Sequence, residues 1–181
     1  MNSCSSFWIR SGRLSLRRFI VNYEASVDDA TMPAMRKGFR VMSIERLSPE
    51  TVEELLTAAR SAAGRAYAPY SDFQVGAAAL IPDGRIVTGC NVENASYPLG
   101  VCAEVTAAAK VAELGERTIS AIAVSSPKLS SVTPCGGCRQ FLNEFHPLEG
   151  DMIVILDGEN GPEFVTLDEL LPRNFGRPIA E

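Results

Sequence analysis

Three cysteines and one glutamate carry the clearest chemical signal in this sequence. Cys102 and Glu104 stand two positions apart, and Cys135 and Cys138 stand three apart later in the chain. Two cysteines at that spacing often bind one metal ion, and Cys102 can supply a third thiolate. Zinc held by three protein ligands keeps a position open for water, whereas structural zinc usually has four ligands. The pattern therefore predicts metal-assisted hydrolysis, with Glu104 as the base.

Both cysteine motifs are predicted to lie at helix N-termini. Helix-favouring residues follow Cys102 as far as Gly115, and Pro134 opens a second helix. Unpaired N–H groups and the helix dipole at such positions favour the thiolate form of cysteine. Residues two apart in a regular helix point about 200° apart, so Glu104 can serve the same metal only if Cys102 and Glu104 lie in the first turn or just before it.

The remaining sequence predicts helices and strands that alternate around these motifs. Ser48 and Pro49 predict a helix start, and the apolar spacing that follows predicts one buried face. The predicted elements are a helix over 49–66, strands over 74–81 and 85–92, a loop over 93–100, a helix over 102–114, a strand over 119–125, a helix over 134–145, strands over 152–156 and 163–166, and a helical turn over 167–171. This order implies a three-layer α/β/α sandwich.

Charge argues against a nucleic-acid partner. The whole chain carries a net charge of −5, but residues 1–41 hold seven Lys/Arg and three Asp/Glu, which leaves −9 on residues 42–181. Binding to DNA or RNA depends on cationic side chains that neutralise phosphates. A small molecule such as a nucleoside is therefore the predicted partner.

Residues 1–41 form a predicted N-terminal extension, and residues 42–181 form the predicted catalytic domain. The extension is basic and contains many serines, as organelle transit peptides do. Three interpretations stay open: a cleaved or disordered extension, an upstream start codon in the gene model, and a functional basic arm. Met35 and Met42 are internal start candidates.

The cysteine count favours reduced thiols in the cytoplasm. Five cysteines are an odd number, and no small secreted framework surrounds them. The sequence also has no apolar run long enough to predict a membrane span.

Four stretches of the sequence resemble the cytidine deaminases of the small, homotetrameric, three-cysteine type. They are Tyr70-Ser71-Asp72-Phe73-Gln74-Val75-Gly76-Ala77-Ala78, Gly89-Cys90-Asn91-Val92-Glu93-Asn94-Ala95-Ser96-Tyr97-Pro98, Cys102-Ala103-Glu104 and Pro134-Cys135-Gly136-Gly137-Cys138-Arg139-Gln140. The resemblance runs in order from about residue 48 to about residue 175. It implies a mixed five-stranded sheet and hydrolysis of cytidine and deoxycytidine to uridine and deoxyuridine with release of ammonia, a step of pyrimidine salvage.

The resemblance also implies a role for each matching residue. Cys102, Cys135 and Cys138 would bind one Zn²⁺ per chain, and Glu104 would carry protons between water and the pyrimidine. A further set would bind the substrate: Asn91 and Glu93 at the ribose 3′-hydroxyl, Phe73 against the base, backbone groups of Ala95 and Ala103 at the base edge, and Tyr70, Tyr97 and Phe175 around the pocket. Some of these would come from neighbouring subunits of a homotetramer.

One position departs from the family pattern. An arginine commonly follows Cys-Ala-Glu and offsets the thiolate charge, but this chain has Val105. Three thiolates exceed the double charge of zinc, so the site would rely on hydrogen bonds and helix dipoles. Arg139 is a possible substitute for the missing cation.

Several alternatives remain beside this interpretation. Cys135 and Cys138 alone could form a thioredoxin-like redox pair, and a structural zinc module would need a fourth ligand, for which Cys90 and His146 are candidates. By themselves, Cys90 is interpreted as a buried strand residue and His146 as a surface or capping histidine. Within the enzyme class, a deaminase of blasticidin S, guanine or a tRNA adenosine is the alternative.

Overall fold

The computed structural model describes residues 47–176. The predicted extension over residues 1–41 lies outside the described residues, so the domain division at residue 41 stays a prediction. No helix within the described range is long and apolar enough to cross a membrane.

Helices and strands alternate along the chain in the predicted order. Their bounds are α1 Pro49–Ala63, β1 Gly76–Leu80, β2 Ile86–Cys90, α2 Ala103–Glu113, β3 Ala121–Ser125, α3 Gly136–Asn143, β4 Ile153–Gly158, β5 Gly161–Thr166 and α4 Leu167–Leu170. The Ser48 side chain caps α1 as predicted, accepting from the N–H of Thr51. One difference is a short 3-10 turn, Tyr97–Leu99, inside the segment predicted as a loop.

The five strands form one mixed sheet in the order β2-β1-β3-β4-β5. Strands β3 and β4 are parallel, and the other neighbours are antiparallel. Because β1 is antiparallel to both β2 and β3, the strands β2, β3 and β4 run in one direction. The segments that leave β2 and β3 therefore start at the same end of the sheet, and they lead to α2 and α3.

Helices cover both faces of the sheet, which confirms the predicted three layers. On one face, α1 buries Leu55, Leu56 and Ala59 against sheet residues such as Ala123 and Ile155. On the other face, a second core joins α2 and α3 to the sheet through Ala107, Val111, Leu142, Ile122 and Val154. The predicted apolar face of α1 is buried in full.

Helix α2 approaches strand β2 most closely at Gly89. A Cβ atom on this residue would lie 2.4 Å from the carbonyl oxygen of Ala103 and 2.4 Å from the amide nitrogen of Ala107. Real Cβ atoms do not approach backbone that closely, so only glycine permits this packing. The contact fixes the first turn of α2 against the sheet.

Candidate active site

The three predicted cysteine ligands converge between the N-termini of α2 and α3. The Sγ atom of Cys135 lies 3.9 Å from that of Cys102 and 3.4 Å from that of Cys138. All three sulfurs lie within 4.8 Å of one another. A tetrahedral zinc ion with Zn–S bonds of about 2.3 Å places its sulfur ligands about 3.8 Å apart. The spacing and chemistry of these donors therefore fit zinc.

Neither candidate for a fourth protein ligand belongs to this cluster. The Cys90 thiol donates to the carbonyl of Arg65 at 3.4 Å, and His146 lies in a separate group with two aspartates. Among residues 47–176, the cluster thus consists of three cysteines. Three ligands leave one coordination position open, which is typical of catalytic rather than structural zinc.

Helix geometry explains how the thiolates are stabilised. Cys102 is the N-cap residue of α2 and Cys135 is the N-cap residue of α3, as the sequence predicted for both motifs. The backbone N–H of Cys138 donates to Sγ of Cys135 at 3.4 Å. Both motifs therefore lie at helix N-termini, where unpaired N–H groups and the helix dipole favour negative charge, and at α3 one of these N–H groups contacts a sulfur directly.

Proton sharing among the thiols leaves one of them readily ionised. A hydrogen bond from Cys138 lowers the pKa of Cys102 to about 6, which outweighs the opposite effect of burial. The same bond, followed by burial, raises the pKa of Cys138. Metal binding must displace the proton that these thiols retain, so zinc affinity is expected to fall as the pH is lowered.

Glu104 meets the geometric condition set by its spacing from Cys102. It is the second residue of α2, directly after Ala103, and its side chain is only 4% exposed. Burial raises the pKa of Glu104, while hydrogen bonds from its own backbone N–H and from Cys138 oppose that rise. A carboxyl group in this environment accepts and releases protons closer to neutral pH than an exposed one does.

Among residues 47–176, no basic side chain donates a hydrogen bond to the three sulfurs in place of the arginine for which this chain has Val105. The Arg139 guanidinium donates instead to the carbonyls of Pro134 and Leu170, at 2.8 Å and 2.9 Å. Lys110 donates to the carbonyl of Thr88. Within residues 47–176, the hydrogen bonds to the three sulfurs come from the cysteines themselves. In the described part of the chain, the backbone donor to these sulfurs is the N–H of Cys138 at the N-terminus of α3.

Asn91 and Glu93 fasten the segment before β1 to the segment after β2. The Asn91 amide accepts from the N–H of Val75 at 2.8 Å and donates to the carbonyl of Phe73 at 2.9 Å. The Glu93 carboxylate accepts from the backbone N–H of Tyr70 at 2.8 Å and from the Ser71 hydroxyl. The Ser71 hydroxyl, followed by the N–H of Tyr70, lowers the pKa of Glu93. Both side chains retain further hydrogen-bonding capacity for a ligand.

The predicted pocket aromatics are highly exposed in the single chain. Tyr70 and Tyr97 make an edge-to-face pair with ring centroids 6.4 Å apart. Tyr97 begins the 3-10 turn, two residues after Ala95 in the sequence. Phe175 is 86% exposed, although Gln140 and Asn143 of α3 hold its carbonyl at 2.8 Å and 3.2 Å. These aromatic rings are therefore exposed to solvent in the single chain, and the backbone of Phe175 is held in place by hydrogen bonds to α3.

Two residues differ from their sequence interpretation. His146 was interpreted as a surface or capping residue, but it is buried and its Nε2 lies 2.9 Å from Asp151 and 3.6 Å from Asp168. Asp151 lies in the loop before β4, and Asp168 lies in α4, which no local sequence pattern connects to His146. Ser71 had no predicted role, yet its hydroxyl donates to the Glu93 carboxylate. The one sequence signal for such a role was the position of Ser71 inside a stretch that resembles the family.

Comparisons with known proteins agree with the site. Residues 49–154 match a family model described as the cytidine and deoxycytidylate deaminase zinc-binding region. A cytidine deaminase from Sporosarcina psychrophila is 43% identical over 127 residues, which cover 70% of this chain and 92% of the relative. A probable cytidine deaminase from Dictyostelium discoideum is 44% identical over 132 residues, with coverages of 72% and 88%.

Solved structures show the same fold. The crystal structure of cytidine deaminase from Burkholderia pseudomallei aligns with a TM-score of 0.63 and 40% sequence identity, over 68% of this chain and 98% of that one. Cytidine deaminase from Mycobacterium tuberculosis aligns with a TM-score of 0.59 at 43% identity, over 68% and 96%. With more than half of its length matched by the family model, the chain belongs to the cytidine and deoxycytidylate deaminase family.

Proposed function

We propose that this protein hydrolyses cytidine and deoxycytidine to uridine and deoxyuridine and releases ammonia. The observation that carries the proposal is the buried carboxyl of Glu104 at the start of α2, beside a three-cysteine cluster with one open ligand position. A redox pair would not require Glu104 there, and a structural zinc site would require a fourth ligand.

The cysteines and Glu104 have different roles in the proposed reaction. Cys102, Cys135 and Cys138 would hold Zn²⁺, which when bound supplies a Lewis acid that lowers the pKa of water at its open position. Glu104 accepts a proton from the attacking water and returns it to the pyrimidine. Carbon C4 thereby gains an oxygen, and the amino group leaves as ammonia. The raised pKa of Glu104 suits a group that both accepts and donates.

Substrate binding is proposed for the residues around this centre. Asn91 and Glu93 would hold the ribose 3′-hydroxyl, Phe73 would pack on the base, and backbone groups of Ala95 and Ala103 would meet the base edge. A nucleoside lacking the hydroxyl would leave these polar groups unpaired, which favours a nucleoside over a free base. The family resemblance and the shared location of Asn91, Glu93 and Phe73 support these roles.

A homotetramer with shared active sites is part of the proposal. Exposed aromatic side chains support it, because Tyr97 and Phe175 are 78% and 86% exposed in the single chain. Large exposed apolar side chains close to a site favour contact with another protein surface. We also propose a cytoplasmic location, a catalytic domain over residues 42–181 and a separate extension over residues 1–41.

The substrate test compares four molecules. Purified protein is incubated with cytidine, deoxycytidine, cytosine and blasticidin S, and deamination is followed by the change in ultraviolet absorbance. Cytidine and deoxycytidine are expected to react, whereas cytosine lacks the sugar that Asn91 and Glu93 would bind. Turnover of blasticidin S without turnover of either nucleoside would overturn the proposed substrate class.

Restoring the missing arginine tests the compensation of thiolate charge. Val105→Arg is expected to leave zinc bound and to keep or raise kcat, because a cation near three thiolates offsets their excess charge. Metal analysis and steady-state kinetics check this. Ala109→Arg is the matched control, since it adds the same charge one turn further along α2. A large loss of kcat in Val105→Arg alone would refute the charge argument.

A further inference from the structure

Ser71 joins two parts of the proposed nucleoside site. Its hydroxyl donates to Oε1 of Glu93, and Oγ of the same hydroxyl accepts from the backbone N–H of Phe73 at 3.1 Å. The backbone N–H groups of Tyr70 and Ser71 both donate to Oε2 of Glu93, at 2.8 Å and 3.3 Å. One side chain therefore lies between the carboxylate proposed for the sugar and the aromatic residue proposed for the base.

The backbone of Phe73 is held from both sides by this arrangement. Its N–H donates to Ser71, and its carbonyl accepts from Nδ2 of Asn91 at 2.9 Å. The next contact along the chain, from the N–H of Val75 to Oδ1 of Asn91, leads directly into β1. Phe73 itself is only partly buried, and these two hydrogen bonds fix the backbone that carries its ring.

Glu93 is constrained in a comparable way. Three donors from residues 70 and 71 converge on its two carboxylate oxygens, which fixes the plane of the carboxylate. Two of these donors are backbone N–H groups, which a side-chain substitution leaves in place. The third donor, the Ser71 hydroxyl, can be removed by substitution. Hydrogen bonds to a charged acceptor are stronger than those between neutral groups.

We propose that Ser71 is a positioning residue that sets Glu93 for the sugar and Phe73 for the base, so that recognition of the two halves of the nucleoside is coupled. This inference rests on the proposed function of the site. Ser71 need not touch the substrate itself. Its effect should therefore appear in substrate binding, and it should depend on whether the substrate offers the hydroxyl group that Glu93 binds.

Steady-state kinetics with two nucleosides test the coupling. Ser71→Ala is expected to raise KM for cytidine by about 10-fold, the loss of one charge-assisted hydrogen bond, with kcat within about twofold of the wild type. The increase should be smaller for 3′-deoxycytidine, which lacks the hydroxyl assigned to Glu93. Ser71→Thr keeps a hydroxyl and should restore most of the affinity, and Ser61→Ala on α1 is the matched surface control. Equal increases for both nucleosides would overturn the coupling.

Hydrogen exchange provides a second measurement that needs no turnover. Ser71→Ala should speed amide exchange at Phe73, whose N–H loses its acceptor, whereas Ser61→Ala should not. Unchanged exchange at Phe73 would overturn the inference even in an active enzyme. Faster exchange in a protein that fails to deaminate cytidine would support the positioning role and contradict only the proposed function.

Discussion

Glu104→Gln is expected to lower kcat for cytidine by a factor on the order of 10³ while the protein keeps its zinc and its fold. Glutamine has nearly the same shape as glutamate but cannot accept the proton of the attacking water. A buried carboxylate such as that of Glu104 loses its hydration, which destabilises the folded protein. The neutral amide of glutamine avoids this cost, so the midpoint temperature of unfolding should be unchanged or higher. Kinetics, metal analysis and thermal unfolding measure the three properties.

Glu113→Gln provides the control for this substitution. Glu113 is an exposed residue at the far end of the same helix, so its variant should match the wild type in all three measurements. Loss of zinc in Glu104→Gln would show that Glu104 is a ligand. Full activity with zinc retained would show that another group carries the proton.

Gly89→Ala is expected to destabilise the protein by about 3 kcal/mol or more and to weaken zinc binding. The added Cβ would lie 2.4 Å from two backbone atoms of α2, and helix backbone cannot move aside as a flexible side chain can. Relief of the clash requires displacement of the turn that carries Cys102 and Glu104. Chemical unfolding and a competition assay with a zinc chelator measure the two effects.

Gly64→Ala is the matched control for the glycine substitution. A Cβ at Gly64 would lie 3.5 Å from the carbonyl of Ser61, an ordinary contact, and the residue has a right-handed helical backbone with φ of −64°. Its variant should be neutral or slightly stabilising, because alanine restricts the unfolded chain more than glycine does. Similar losses in both variants would contradict the proposed close approach of α2 to β2.

Local signals explain why so much of the fold could be predicted. Ser48 and Pro49 specify the start of α1 within a few residues of sequence, and the apolar spacing after them specifies its buried face. The N-terminal positions of Cys102 and Cys135 likewise follow from residues on either side of each motif. Helix starts and buried helix faces can therefore be predicted from a short stretch of neighbouring residues.

The relations that sequence analysis did not predict depend on contacts between distant segments. The contact from His146 to Asp168 and the hydrogen bond from Arg139 to the carbonyl of Leu170 both require helix α4 to lie beside α3 and the segment after it. The bond from Ser71 to Glu93 likewise requires that the β1–β2 hairpin bring the segments at its two ends together. Propensity and spacing carry no information about such pairs, so the supporting hydrogen bonds of the site were missed although the convergence of its three cysteines was predicted.

One of the two outer strands of the sheet, β5, affects how copies of the chain can associate. Strand β5 pairs only with β4 in the sheet order, and it carries Pro162 followed by the exposed Glu163. A proline offers no N–H to an incoming strand, and a charged neighbour disfavours close stacking. Strand addition at the β5 side, a route to cross-β aggregation, is therefore discouraged, and copies that associate at this side would have to do so through side chains.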